Sequence, residues 1–335
     1  MATRKFSKFQ YGKESTRGTA VAATKMLFAN VKGVPTDRKP VFIADANGVR
    51  AASNRTQVYE YLVNDSITIP DAYFQCLPMF LSCGLKGNIT ATETTGGQSD
   101  YLWTFLPSMT ATNAPDSITL EMGDDVQAFE IEHVMFERLR IKGDIAQDGG
   151  ASKVDIEGSY FGRQVTATTF TGAIAVPTVT TMNGKAARIY KDAAWANRGT
   201  TELTNSLRGF ECEIMTGLHV KFFGDANLYF ATFGEGQISG MLTLTLEGDS
   251  TADTLFDEFQ AGTAKAYSLK INGPQIGSGS TYNFTFNLWG KPESVVPLSA
   301  ESNGNNLHAV VIHGMYDTTG AAILECKVTT NSNTL

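Results

Sequence analysis

Adjacent carboxylates stand at Asp124-Asp125 and Asp257-Glu258, and two acids at the right separation could divide the acid and base work of a glycosidase-like hydrolysis. Neighbouring acids in a turn or on a helix surface face water far more often than a cleft, so no catalysis is expected. The four histidines, His133, His219, His308 and His313, show no spacing that sets two on one face as metal ligands require. His308 and His313, five apart, point to opposite sides of a strand. Cys76, Cys83, Cys212 and Cys326 fit neither a zinc spacing nor a disulfide framework. On a helix, Cys76 and Cys83 would lie about 10 Å apart, too far to bridge, so all four read as small buried hydrophobes. No glycine-rich phosphate loop follows a strand, Gly-x-Ser-x-Gly does not occur, and Gly277-Ser278-Gly279-Ser280 reads as a flexible turn. No cofactor and no metal are expected.

A second arrangement of acids recurs on strand-like segments: Glu130 and Glu132 around Ile131, Asp155 and Glu157 around Ile156, Glu211 and Glu213 around Cys212. Spacing by two puts each pair on one strand face. Such faces could be solvated and paired across the sheet with Arg138, Arg140 and Lys142. Copied around a ring, they would instead form negative belts.

The elements that must carry these residues have a period of two. Leu242, Leu244 and Leu246 alternate with Thr243, Thr245 and Glu247; Tyr282, Phe284, Phe286 and Leu288 alternate with Asn283, Thr285 and Asn287. The expected fold class is mainly β, an antiparallel β-sandwich or half-barrel with short flanking helices. Ala252, Leu255, Phe256 and Phe259 form a narrow helical stripe with Ser250 and Asp253 as its cap. The stretch from Asp71 to Cys83 is apolar nearly all round, with Pro78 kinking or restarting it. A helix of that kind calls for cover on more than one side, which a neighbouring subunit would supply.

One pattern is written twice. Gln57 to Ile69 leads into Asp71 to Cys83, then Tyr101 to Leu106 and Ile118 to Met122. Ile238 to Leu246 leads into Thr251 to Gln260, then Tyr267 to Ile271 and Tyr282 to Leu288. The expectation is two tandem domains, residues 1–165 with an N-terminal arm and a long loop, and 185–335, joined by a linker or hairpin at 166–184. Lys32 to Asn54 and Lys86 to Asp100 are long irregular segments, suited to reaching a neighbour.

With 335 residues, 42% hydrophobic and 18% charged, the chain is globular and its surface polar without much charge. A net charge of −7 sets the average surface against a phosphate backbone, which argues against sequence-specific DNA binding. No stretch reaches the ~20 apolar residues of a membrane span. Met1 to Gly18 is basic without the apolar core of a signal peptide. The chain is expected to stay in a cytoplasm, without membrane insertion.

Tyr11-Gly12-Lys13-Glu14-Ser15, followed by Gly18-Thr19, resembles the start of tail tube proteins from long, non-contractile tailed bacteriophages. Phe210 to Gly217, Lys221-Phe222 and Asn227-Leu228-Tyr229-Phe230 look like that family's strand and aromatic turn, ahead of the Leu242 to Glu247 strand. The resemblance implies rings of sixfold or pseudo-sixfold symmetry, three or six copies of the chain, stacked into a conduit for DNA in the virion tail and assembled in the bacterial host's cytoplasm. Its partners would be itself, other tail proteins and DNA in non-specific passage. A wall that must not grip phosphates favours acids, so Glu130, Glu132, Asp155, Glu157, Glu211 and Glu213 are the candidate lumen residues. Tyr11, Lys13, Tyr73, Phe74, Leu77 and Phe80 are the candidate contacts between subunits, on the N-terminal arm and the apolar helix, with the loop from Lys32 to Asn54 beside them. Two alternatives stand next to this reading. One is a carbohydrate-binding or adhesive β-sandwich using Trp195, Tyr190 or Trp289; the other is a tail terminator or minor tail protein of similar fold.

Overall fold

A computed structural model describes residues 6–30, 32–46, 48–146, 150–204, 206–302 and 304–335. Its first half runs β1 (Lys8–Lys13), β2 (Lys25–Leu27), β3 (Arg38–Ile43), β4 (Arg55–Tyr61), β5 (Val63–Ile69), α1 (Leu77–Gly84), β6 (Thr92–Glu93), β7 (Tyr101–Phe105), β8 (Ile118–Gly123), β9 (Ala128–Asp144), β10 (Val154–Gly162) and β11 (Val165–Thr168). The second runs β12 (Ala187–Asp192), β13 (Leu207–Met215), β14 (Leu218–Lys221), β15 (Thr232–Glu235), β16 (Ser239–Glu247), α2 (Ser250–Ala261), β17 (Lys265–Gln275), β18 (Thr281–Ser302), β19 (Asn305–Gly314) and β20 (Leu324–Thr330).

The pairings repeat even where the sequence does not. β1 pairs with β8 and β8 with β9; correspondingly, β12 pairs with β17 and β17 with β18. β5, β10 and β9 lie side by side, as do β16, β19 and β18, all antiparallel. α1 packs on β9 and α2 on β18, and a hairpin precedes each sheet strand, β3–β4 before β5 and β14–β15 before β16. The two halves thus share an order of strand pairings, with a correspondence different from the one the sequence pattern suggests. β8 matches β17 and long β9 matches long β18, while β7 has no counterpart and lies between β20 and β6.

Both long strands serve two sheets. The first half of β9 pairs with β8 and β11, the second with β10 and β13, and the change falls near His133, whose φ of 55° bends the strand. The first half of β18 pairs with β17 and β20, and the remainder, past Gly290, with β19 through two bulges. These bends fold the strands into a sandwich, and alternate residues fill one core that draws on both halves, from Tyr11 and Phe80 to Leu244 and Phe286. The halves are therefore repeats fused into one body, since β9 pairs with β13 across the expected boundary. The stretch expected to be a linker or hairpin is a strap over the first repeat. Thr171 donates to Glu121 through its backbone and hydroxyl, and Thr181 bridges to Tyr73.

α2 follows its apolar stripe, with Ala252 and Leu255 buried and Phe259 37% exposed. Its cap lies one residue earlier than expected: Asp249 accepts from the Ala252 N–H. In α1, Pro78 stands in the first turn and starts the helix after a 3-10 turn at Phe74–Cys76. Every α1 residue is buried, because β9 covers one side and β7 and β20 another.

Candidate functional site

The Gly12-to-Thr19 motif builds the joint that holds β1 onto the first repeat. Glu14 is buried, and its carboxylate accepts from the Gly18 N–H (2.7 Å), the Ser117 hydroxyl (2.5 Å), the Thr119 hydroxyl (3.1 Å) and the His133 N–H (2.7 Å). Gly18 has a φ of 73°, and a side chain there would run into the Arg163 guanidinium, which donates to the Gly18 carbonyl at 2.8 Å. Lys13 reaches Asp116 at 2.8 Å. His133 is buried with neither ring nitrogen hydrogen-bonded, and burial, reinforced by Arg163 and Arg17, pulls its pKa down from 6.5 to about 3.

The expected subunit contacts need correction. Tyr11, Tyr73, Phe74, Leu77 and Phe80 are buried within their own chain, so they leave no apolar face for a neighbour. Of the six, only Lys13 keeps substantial exposure, and it is already paired. The N-terminal arm is likewise a core element from Lys8 onward, through Phe9 and Tyr11; Met1 to Lys5 lies outside the described residues. Removing Met1 to Gly18 would dismantle the first repeat rather than merely release a neighbour.

The candidate lumen acids do not form one set. Glu130 and Glu132 sit on the first half of β9, in the sheet with β8 and β11, where burial raises both carboxyl pKa values and Glu121, opposite Glu130 in the register, raises that of Glu130 further. The other four belong to the polar face of the central sheet, whose order is β5-β10-β9-β13-β16-β19-β18. There they flank a row of cations. Arg140 grips Glu211 with two bonds of 2.6 and 2.7 Å and lies 3.7 Å from Glu157; Arg138 bonds Glu213 at 2.6 Å; Asp155 stands opposite Lys142. The Arg140 bond is the main cause that lowers the Glu211 pKa. Cross-strand pairing therefore replaces the expected negative belts with a mixed-charge ladder.

The residues considered for other chemistry have structural employment. Asp124 accepts from the Val126 and Gln127 N–H groups in a turn, and Glu258 pairs with Lys191 at 3.1 Å. Trp195 is buried under the Arg198 guanidinium, 4.6 Å from its ring, and Lys270 sits 4.4 Å over the Tyr190 ring, so neither offers a bare platform to a sugar. Trp289 is partly buried against Trp195 and Ala322. The four cysteines are buried and unbridged. Among the described residues, no three His, Cys, Asp or Glu side chains converge as a metal site, and no helix is long and apolar enough to cross a membrane.

What sequence reasoning missed is the joint between repeats. Asp144 to Arg138 of β9 pair with Gly209 to Met215 of β13, making one sheet of two repeats. The β14–β15 hairpin then crosses onto the first repeat. Leu218 and Phe230 pack with Met135 and Phe161, Phe230 lies 4.8 Å from the His133 ring, and Glu235 accepts from Thr112, Asn113 and Ala114. The Tyr61 N–H donates to the Leu228 carbonyl at 2.7 Å.

The outer borders of this sheet are open. Among the described residues, Lys291 to Ser302 of β18 are paired along one side only, to β19. At the opposite border, residues 28–30 and 32–37 run along β5, with the Asn30 N–H on the Thr68 carbonyl and Lys32 on Ser66. That strip precedes β5 as β13 precedes β16. The β18 border corresponds to the half of β9 that β13 occupies. No protein-family model matches this chain, and neither does any curated protein.

Proposed function

We propose that this chain is a structural protein of a virion tail whose copies join through their sheet borders into closed rings, and that the rings stack into a tube for DNA passage. The observation that carries the reading is the β9–β13 joint. It shows how one repeat attaches to the next, and the chain presents both halves of the same joint unfilled, the β18 border at one end and the strip along β5 at the other. A long unpaired strand border is a liability that closure removes. Joining border to strip repeats one geometry from unit to unit, which generates a ring when the rotation closes. A ring of six repeats then needs three chains.

The polar face of the central sheet suits the inner wall. Its arginines are held by Glu211 and Glu213, so few free cations remain to bind phosphates and release counterions, the step that would make DNA adhere. This wall works by neutralisation rather than by negative charge. Negative-stain imaging of concentrated protein tests the reading. Stacked rings are the expected result; single rings that never stack would restrict the protein to a terminator-like role, and dispersed particles at every concentration would remove the assembly reading.

A further inference from the structure

We infer that the groove at the ends of β16 and β19 receives the β3–β4 hairpin of a second copy of this chain; the inference rests on the assembly reading above and names its contact. Three observations converge. First, in the first repeat Leu62 just before β5, Phe161 at the end of β10 and His133 at the bend of β9 are covered by the β14–β15 hairpin of the second repeat, to whose Leu228 carbonyl the Tyr61 N–H of β4 donates. Second, the matching ends in the second repeat border an open groove. Ile238, Ser239, His313 and Tyr316 line one side of it, the chain's own β14–β15 hairpin and the 108–115 segment line the other, the whole measures about 1340 Å³, and Tyr316 is 47% exposed. The correspondence follows from register, since β10 ends at Gly162 opposite Val63 of β5, and β19 ends at His313 and Gly314 beside Met241 of β16.

Third, β3–β4 holds the position in the first repeat that β14–β15 holds in the second, yet its strands are exposed nearly throughout. Phe42 is 67% exposed and Tyr59 61%, with Val41 beside them. Large apolar side chains left exposed on both faces of a hairpin mark it as a contact element. One contact is thus made once inside the chain, and its two halves are left over at opposite ends: an exposed hairpin and an open groove. Head-to-tail joining of copies brings the two together and commits the occupant to another copy of this chain.

Mixed cross-linking tests this. Phe42→Cys and Tyr316→Cys are made separately in the full chain, at exposed positions whose replacement leaves the core untouched, and the native cysteines are buried away from reagent. The two proteins are mixed, concentrated and treated with a short bismaleimide, with assembly followed in parallel by sedimentation. The expected result is a covalent dimer in the mixture and its loss in either protein alone. Assembly without the mixed dimer, or equal dimer in Phe42→Cys alone, overturns the seating of the hairpin and leaves ring formation standing. Failure of the unmodified chain to assemble, with no dimer, overturns both.

Discussion

Replacing Glu14 measures how much of the first repeat hangs on one carboxylate. In the intact protein the side chain accepts four hydrogen bonds, two from backbone N–H groups and two from hydroxyls, across chain separations of up to 119 residues. Glu14→Ala leaves the buried His133 N–H and the part-buried Gly18 N–H without an acceptor, while the Ser117 and Thr119 hydroxyls can rotate elsewhere. Each buried donor left unsatisfied costs about 1–3 kcal/mol, and the lost packing adds to it, so a total of about 3–5 kcal/mol is expected. That is a large part of the ~5–15 kcal/mol typical of a folded domain. Glu14→Gln keeps the volume and one accepting oxygen but turns its amide NH2 toward two of the four donors, for which about 2 kcal/mol is expected. Urea unfolding at constant m reads both values. A loss below about 1 kcal/mol for Glu14→Ala would refute the view of this motif as the joint that binds β1 to β8 and β9.

Other consequences can be checked alongside. His133 is held neutral well below its ordinary value, so the stability tied to it is complete above pH 6.5 and falls as pH drops toward about 3, by about 1.4 kcal/mol per pH unit inside that window. Chemical unfolding at pH 7 and pH 5 should show the loss, and His133→Asn, which tolerates the positive φ, should flatten it. Gly158→Ala would put a methyl 2.7 Å from the rings of Phe80 and Phe136, an overpacking worth about 1–3 kcal/mol and visible as a lowered melting temperature. Lys13→Ala should cost under about 1 kcal/mol, because the pair is partly exposed and Asp116 keeps Ser82 and the Asn88 N–H.

Strand class and face were readable because a period of two is local: Leu242, Leu244 and Leu246 are all buried as their alternation requires. The correspondence between the halves was not, because β9 and β18 bend and change sheets, and no local pattern says which strand follows the bend. The apolar helix misled in a similar way. A helix hydrophobic all round says it is covered, not by what, and β7 and β20 reach α1 from distant parts of the sequence. Glu14 carries no local signal of its role, since its partners lie at positions 117, 119 and 133. Spacing by two puts each acid pair of the central sheet on one strand face, where Arg138 and Arg140 are also within reach. Choosing between pairing and a negative belt required the register of β9 against β13.

Electron cryo-microscopy of the concentrated protein, averaged end-on, tests the central claim most directly. The account predicts closed rings with twice as many similar blocks as chains, the outer border of β18 hydrogen-bonded to residues 28–30 and 32–37 of the next copy, and the Arg138–Arg140 face turned inward. Monomers alone, or rings whose copies meet without joining those two borders, would contradict it.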